Sequence, residues 1–211
     1  MWEIVVAGGW LMIPIIACSI IALGIIVERL WALQKKRIAP KHLVAQVWHW
    51  EKNGQLDDER LRSLSSGSPL GKVLAVGLAN RDSDREVMRD AIEEIGRHEV
   101  HALERYLNTL GTIAAISPLL GLLGTVFGMI QVFTNLSAHG TGNVGNLAGG
   151  ISQALITTAA GLVVAIPSLM FYRYFRGRVD ELVVHIEQEA LKLIEVIHGQ
   201  RGKASLKENG E

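Results

Sequence analysis

The chain has 211 residues, 21 basic and 21 acidic side chains, hence no formal net charge, and a single cysteine. This balance leaves no electrostatic footprint for nucleic acid, and one cysteine excludes an intramolecular disulfide. A mean hydropathy of +0.26 exceeds that of a usual compact soluble domain, and the placement of the charges says why.

Taken in chain order, the first predicted element is an apolar helix over residues 10–30, preceded by a short segment, 1–9. Ile4 to Val27 carries no charge, Glu3 is the only charge before Glu28, and Arg29, Lys35, Lys36 and Arg37 follow. With no basic segment in front and a stop-transfer flank behind, this reads as a retained membrane anchor rather than a cleaved signal. Cys18 lies inside it, where a small apolar packing role suits it.

Residues 31–106 form a loop that is helical by pattern. A helix is expected within "PKHLVAQVWHWEKNGQLDDERLRSL", broken at Asn53-Gly54, and "SSGSP" reads as a linker. From Ser83 to Leu107, residues Val87, Ala91, Ile95, Ala102, Leu103 and Tyr106 fall near helical spacing among many charges, predicting a helix that runs straight into the next span. His98 and His101 on this helix could meet a metal with Glu94, but a solvated charged face is the simpler reading, and no metal is expected.

Between Arg105 and Arg173 there is no Asp, Glu, Lys or Arg, a gap roughly three times the ~20 residues one membrane helix needs. A soluble fold of this size has too little interior to hide it. The Gly- and Asn-rich "SAHGTGNVGN" divides the gap, giving a second span at 107–134, a short turn at 135–147 and a third span at 148–172. Beyond it, Val179, Leu182, Val183, Ile186, Ala190, Leu193, Ile194 and Ile197 follow the i, i+3, i+4, i+7 rule, so the helix continues through 173–200 with one apolar face before a frayed tail, 201–211. Its stripe could cover that of the loop helix or of a neighbouring subunit.

The expected fold is thus an all-α integral membrane protein with three transmembrane helices, the second and third extended into long cytoplasmic helices. Lys and Arg flank the inner ends of all three spans and are absent from the N-terminus and from the 135–147 turn. The positive-inside rule therefore places the N-terminus outside, and the loop and C-terminal tail in the cytoplasm.

The spans carry rows of small residues. Gly121, Gly124, Thr125 and Gly128 recur on the second, with Gly111, Ala114 and Pro118 continuing the row. Gly150, Ala154, Thr158, Gly161, Ala165 and Ser168 do so on the third, which also contains Pro167. Such rows let helices approach closely in lipid, and a threonine can return its hydroxyl to its own backbone, so pure packing would account for either row. Taken together, Thr125, Thr158, Thr157 and Gln153 suggest a narrow polar seam at mid-membrane depth that could pass a proton or small cation. No Asp, Glu or His lies at that depth, so a proton-conducting role needs an acid from a partner. "GLLGTVFG" lacks the Lys of a phosphate loop, no nucleophile stands with a base, and neither an enzyme nor a cofactor is expected.

"ISPLLGLLGTVFGMIQVF" (116–133) and "GGISQALITTAAGLVVAIPSLMFYRYF" (149–175), with the "WLMIPIIACSIIALGIIVERLWAL" start, closely resemble the signature segments of the MotA/TolQ/ExbB proton-channel family, on its ExbB and TolQ side. The resemblance implies a bacterial inner-membrane motor subunit that forms a homopentamer around a single-span ExbD- or TolR-type partner whose membrane aspartate carries the proton. Force would then pass to a TonB- or TolA-like transducer, for outer-membrane transport or envelope maintenance. Thr125 and Thr158 correspond by motif to the family's paired channel threonines. Gln153 stands where several relatives have glutamate, and Arg173 follows a tyrosine where asparagine is commoner. A structural scaffold with no conduction role is the alternative.

Overall fold

A computed structural model describes residues 8–40, 42–53, 55–139 and 144–208. They form helices α1 (Met12–Ala32), α2 (Lys35–Ile38), α3 (Leu43–Lys52), α4 (Asp58–Gly67), α5 (Pro69–Ala79), α6 (Arg85–Leu103), α7 (Leu107–His139) and α8 (Val144–Glu208). No strand occurs among the described residues. Three helices are long and apolar enough to cross a membrane: α1, the α6–α7 stretch and α8. At 1.5 Å per residue the 21 residues of α1 span about 31 Å, one hydrocarbon core.

The contacts divide the chain into two compact units, Met1–Leu30 with Tyr106–Phe175, and Trp31–Arg105 with Arg176–Glu211. The first is built inside out relative to a soluble domain. Ser117, Thr157 and Ser168 are at most 1% exposed, while Ile13, Ile20, Leu23, Leu155, Val163 and Met170 point outward. In water this arrangement would be costly; in hydrocarbon the large aliphatic side chains meet lipid at no loss and small residues set the packing distance. Gly9, with φ +72, turns the chain into α1, a conformation glycine adopts without Cβ strain. At the other end of α1, Arg29 is buried, chelates Glu28 through Nε and Nη2, and lies 5.6 Å from the centre of the Tyr106 ring.

The second unit has a conventional apolar core. Leu70, Val73, Leu74 and Leu78 of α5, Met88 and Ile92 of α6, and Val179, Leu182, Ile186, Leu193 and Ile194 of α8 are all buried. Gly77 marks the crossing: a Cβ there would meet Ile92 Cδ1 and Leu193 Cδ2 at 3.0 Å and Met88 Cε at 3.3 Å. The α5 helix thus fills the space between the two long helices, a role that "PLGKVLAVGLA" does not advertise by periodicity. An apolar groove of 590 Å³ still separates α6 from α8, lined by Ile92, Gly96, Val100, Val183, Ile186 and Ala190, so the two stripes do not close fully on each other.

Several sequence expectations change here. "SSGSP" is a corner rather than a linker: α4 runs through Gly67, and Ser68 alone joins it to α5, accepting the Gly71 N–H on its Oγ at 3.0 Å with Pro69 at the first helical position. The expected break at Asn53-Gly54 falls between α3 and α4; Gly54 itself lies outside the described residues, and Asp57 caps α4 by accepting the Arg60 N–H at 2.9 Å. The loop helix does not run straight into the second span, because α6 ends at Leu103 and Tyr106 takes a left-handed φ of 62 before α7 begins. Leu103 of its expected stripe is buried, but in the first half of the helix the enclosed positions are shifted by one: Met88 and Ile92, which reach Gly77 of α5, are buried, whereas Val87 is 51% exposed. Within the expected 135–147 turn, α7 continues to His139 and α8 starts at Val144, leaving 140–143 outside the described residues; α8 is helical through Glu208, into the expected tail.

Leu74 has no exposed surface, so Leu74→Ala deletes a fully enclosed side chain. The expected cost is about 2–5 kcal/mol, read as a lowered midpoint of thermal unfolding in detergent micelles.

Candidate functional site

The α7 and α8 helices run against each other on their small residues. A Cβ added to Gly121 would stand 3.0 Å from the Thr157 carbonyl oxygen and the Thr158 Cα; one on Gly128 would stand 2.8 Å from the Gly150 carbonyl oxygen and 3.0 Å from Ala154 Cβ. One on Gly161 would stand 2.5 Å from the Ser117 carbonyl oxygen and 3.2 Å from Gly121 Cα. Here backbone touches backbone, so no side chain can yield. Ala154 and Ala165 are buried on the same α8 face, whereas Pro118 is only half-buried and Pro167 is exposed. The small-residue positions thus separate into a true interface and two helix-interior prolines that each remove one backbone donor.

The four polar residues read as a seam do not behave alike. Thr157 has no exposed surface; its Oγ1 donates to the carbonyls of Gln153 and Ala154, both at 3.0 Å, and its side chain fills the space above Gly124. It is a packing residue with its donor already used. Thr158, half-buried, donates from Oγ1 to Ala154 O at 3.1 Å on its own helix and to Gly121 O at 3.2 Å on α7. It forms a side-chain bridge between the two helices, and its oxygen retains lone-pair capacity. Thr125 is one turn beyond Gly121 on α7, half-buried, with its hydroxyl turned back to Leu122 O at 2.7 Å. Thr125 and Thr158 thus donate to adjacent carbonyls of α7, Leu122 O and Gly121 O.

Gln153 faces elsewhere. Its side-chain amide nitrogen occupies the place a Cβ on Gly9 would take, so it packs against the turn that enters α1. Trp10, one residue on, meets Phe127 of α7 edge-on with ring centres 5.6 Å apart. The expected seam is thus shorter than the sequence suggests, with Gln153 tying α8 to the start of α1. Ser117 is the polar residue that sequence reasoning passed over: fully buried, it donates to Ile113 O at 2.7 Å while its carbonyl faces Gly161. Its position in the Gly111–Ala114–Pro118 row was the available signal. Ser168 repeats the pattern on α8, donating to Val164 O at 2.7 Å.

The interface is therefore neutral, satisfied and without an Asp, Glu, His, Lys or Arg among residues 106–137 and 145–172. Its hydroxyls can accept hydrogen bonds but none can carry a charge near neutral pH.

A protein-family model described as the MotA/TolQ/ExbB proton channel family matches residues 65–188, which take in the whole α7–α8 interface and much of the core of the second unit. The chain belongs to this family. It is 31% identical over 173 residues to a putative biopolymer transport protein, ExbB-like 3, of Synechocystis, covering 81% of this chain and 82% of that one. It is 36% identical over 169 residues to ExbB-like 1 of the same organism, covering 79% of this chain but 66% of the longer relative. With the Tol-Pal system protein TolQ of Haemophilus influenzae it shares 30% identity over 206 residues, 90% of this chain and 89% of that one. Family membership and the three apolar helices together make this a multi-pass inner-membrane protein.

Two glycines of α8 separate packing from propensity. Gly161→Ala drives a Cβ into backbone and is expected to cost about 1–3 kcal/mol, whereas Gly149→Ala, with nothing within 4 Å, should be neutral or slightly stabilising. Resistance to thermal unfolding in micelles ranks the two; equal effects would remove the close helix contact as a determinant of stability.

Proposed function

We propose that this chain is the proton-channel subunit of an inner-membrane motor that couples the proton motive force to an envelope process. In this reading several copies, five by the resemblance, surround a single-span ExbD- or TolR-type protein whose membrane aspartate carries the proton. Movement of that partner is passed to a TonB- or TolA-like transducer, serving outer-membrane transport or envelope maintenance. The N-terminus lies in the periplasm and the C-terminus in the cytoplasm, in accord with the basic residues that follow α1 and the third span.

The observation that carries the reading is the neutral Thr158–Gly121 bridge beside Thr125, in a stretch with no acid between Arg105 and Arg173. Thr158 lies fifteen positions before Arg173, about 22 Å along the helix, well inside the hydrocarbon. Hydroxyl oxygens at that depth can solvate a proton in transit or the neutral form of a carboxylic acid, and cannot trap either as a fixed counter-ion would. A titrating aspartate facing this wall supplies the charge change, and the wall stays the same in both states.

The spent hydroxyls favour a second reading, a scaffold in which Thr157 and Thr158 only fasten α7 to α8. Thr158→Val and Thr158→Ser distinguish the two. The valine keeps the volume but loses the hydroxyl and an interhelical bond worth about 0.6 kcal/mol, too little to disrupt folding. The motor reading expects Thr158→Val to abolish proton flux of the co-reconstituted complex while insertion and assembly persist, and Thr158→Ser to restore most of it. Normal flux in Thr158→Val would remove Thr158 from the pathway and leave the scaffold.

A further inference from the structure

The basic residues that flank the spans are not equivalent. After the third span, Arg178 pairs with Glu181, and Asp180 lies between them; before the second, Arg97 and Arg105 are interleaved with Glu99 and Glu104. Between Glu28 and Glu51, by contrast, the sequence has Arg29, Lys35, Lys36, Arg37 and Lys41 and no acid. Arg29 is consumed by Glu28 and Tyr106. Among the described residues, Lys35, Lys36 and Arg37 have no carboxylate partner, and Lys36 and Arg37 are exposed.

The backbone under these three residues is fixed. Leu33, Ile38 and Ala39 are 4%, 2% and 1% exposed, so the α2 turn is held from below while its cations face out. Arg37 lies over the Trp31 indole, 3.5 Å from the ring centre, on the last turn of α1. Trp31 is 60% exposed and follows Val27 and Leu30, also exposed, on the apolar helix. An indole at the end of an apolar span, with unpaired cations one turn beyond, marks the level where hydrocarbon gives way to phosphate.

We propose that Lys35, Lys36 and Arg37, set against the exposed Trp31 ring at the end of α1, bind the phosphate of anionic phospholipid headgroups. The surface matches that chemistry in two ways. Its charge is uncompensated, and the amphipathic indole fits the glycerol and upper acyl region below a headgroup. A free phosphate ester shares only the first feature. The proposal rests on α1 lying across the bilayer and is independent of proton conduction.

The test is lipid titration of the full-length chain in neutral detergent micelles, with binding of single phosphatidylglycerol and phosphatidylcholine molecules read by native mass spectrometry. The intact protein is expected to prefer phosphatidylglycerol. Lys35→Gln, Lys36→Gln and Arg37→Gln together should weaken that binding about a hundredfold, at about fivefold for each basic residue near the surface. The charge-preserving set Lys35→Arg, Lys36→Arg and Arg37→Lys should keep it, and raised salt should weaken it only in the intact protein and that set. Unchanged phosphatidylglycerol binding in the glutamine variant, with helical content intact by circular dichroism, would overturn the proposal, as would loss of binding in a folded charge-preserving variant. Displacement of the lipid by an equal concentration of glycerol 3-phosphate would assign the surface to soluble phosphate esters and equally overturn the lipid assignment.

Discussion

The structure depends on backbone contact between α7 and α8. In hydrocarbon, two helices gain nothing from hiding apolar surface, since lipid is as apolar as their partner. They associate through dispersion contacts and hydrogen bonds, which require close approach. Gly121, Gly128 and Gly161 allow it, with the Ser117 carbonyl near enough to Gly161 that a methyl group could not stand between them. Once the axes are this close, Thr158 can reach the Gly121 carbonyl, Thr157 must be enclosed, and the large aliphatic residues are left to face outward.

That geometry also explains why the interior can be polar without being charged. A carboxylate in this interface would lose its hydration and gain only carbonyls, which repel it. A hydroxyl donates to an unpaired lone pair of a helix carbonyl and needs no other partner, so Ser117, Thr125, Thr157 and Ser168 all return their protons to their own helix. Thr158 departs from the pattern by sharing its proton with the facing helix. A polar surface built this way is stable in a single chain and still accepts hydrogen bonds from whatever stands beside it.

Much of this was legible in the sequence, because the signals were long. The uncharged stretch after Arg105 and the stripe from Val179 to Ile197 each extend over several helical turns, and a stripe of that length selects one face. The small-residue rows pointed to the helix contact for the same reason. What stayed hidden was decided by single residues. Thr157 and Thr158 are adjacent and chemically identical, and only a 100° step around α8 makes one a core residue and the other a bridge. Nothing local in "SSGSP" distinguishes a linker from a one-residue corner, since Ser before Pro suits both a turn and a helix cap. Tyr106 ends a helical run in a conformation its residue type disfavours, and its ring over Arg29 is a contact between residues far apart in the chain. Gln153, read as part of a seam, packs against Gly9 across nearly twice that distance in sequence.

The fit of Thr157 over Gly124 has a bearing on how such a chain can vary through descent. The side chain missing from one helix is the space occupied by the other, so the two positions hold a single shared volume. A larger residue at 124 has room only if 157 shrinks in the same lineage, and a loss at 157 leaves a void that a residue at 124 can fill. The pair should therefore drift as one character, with the sum of its volumes kept and its division between the helices free to move.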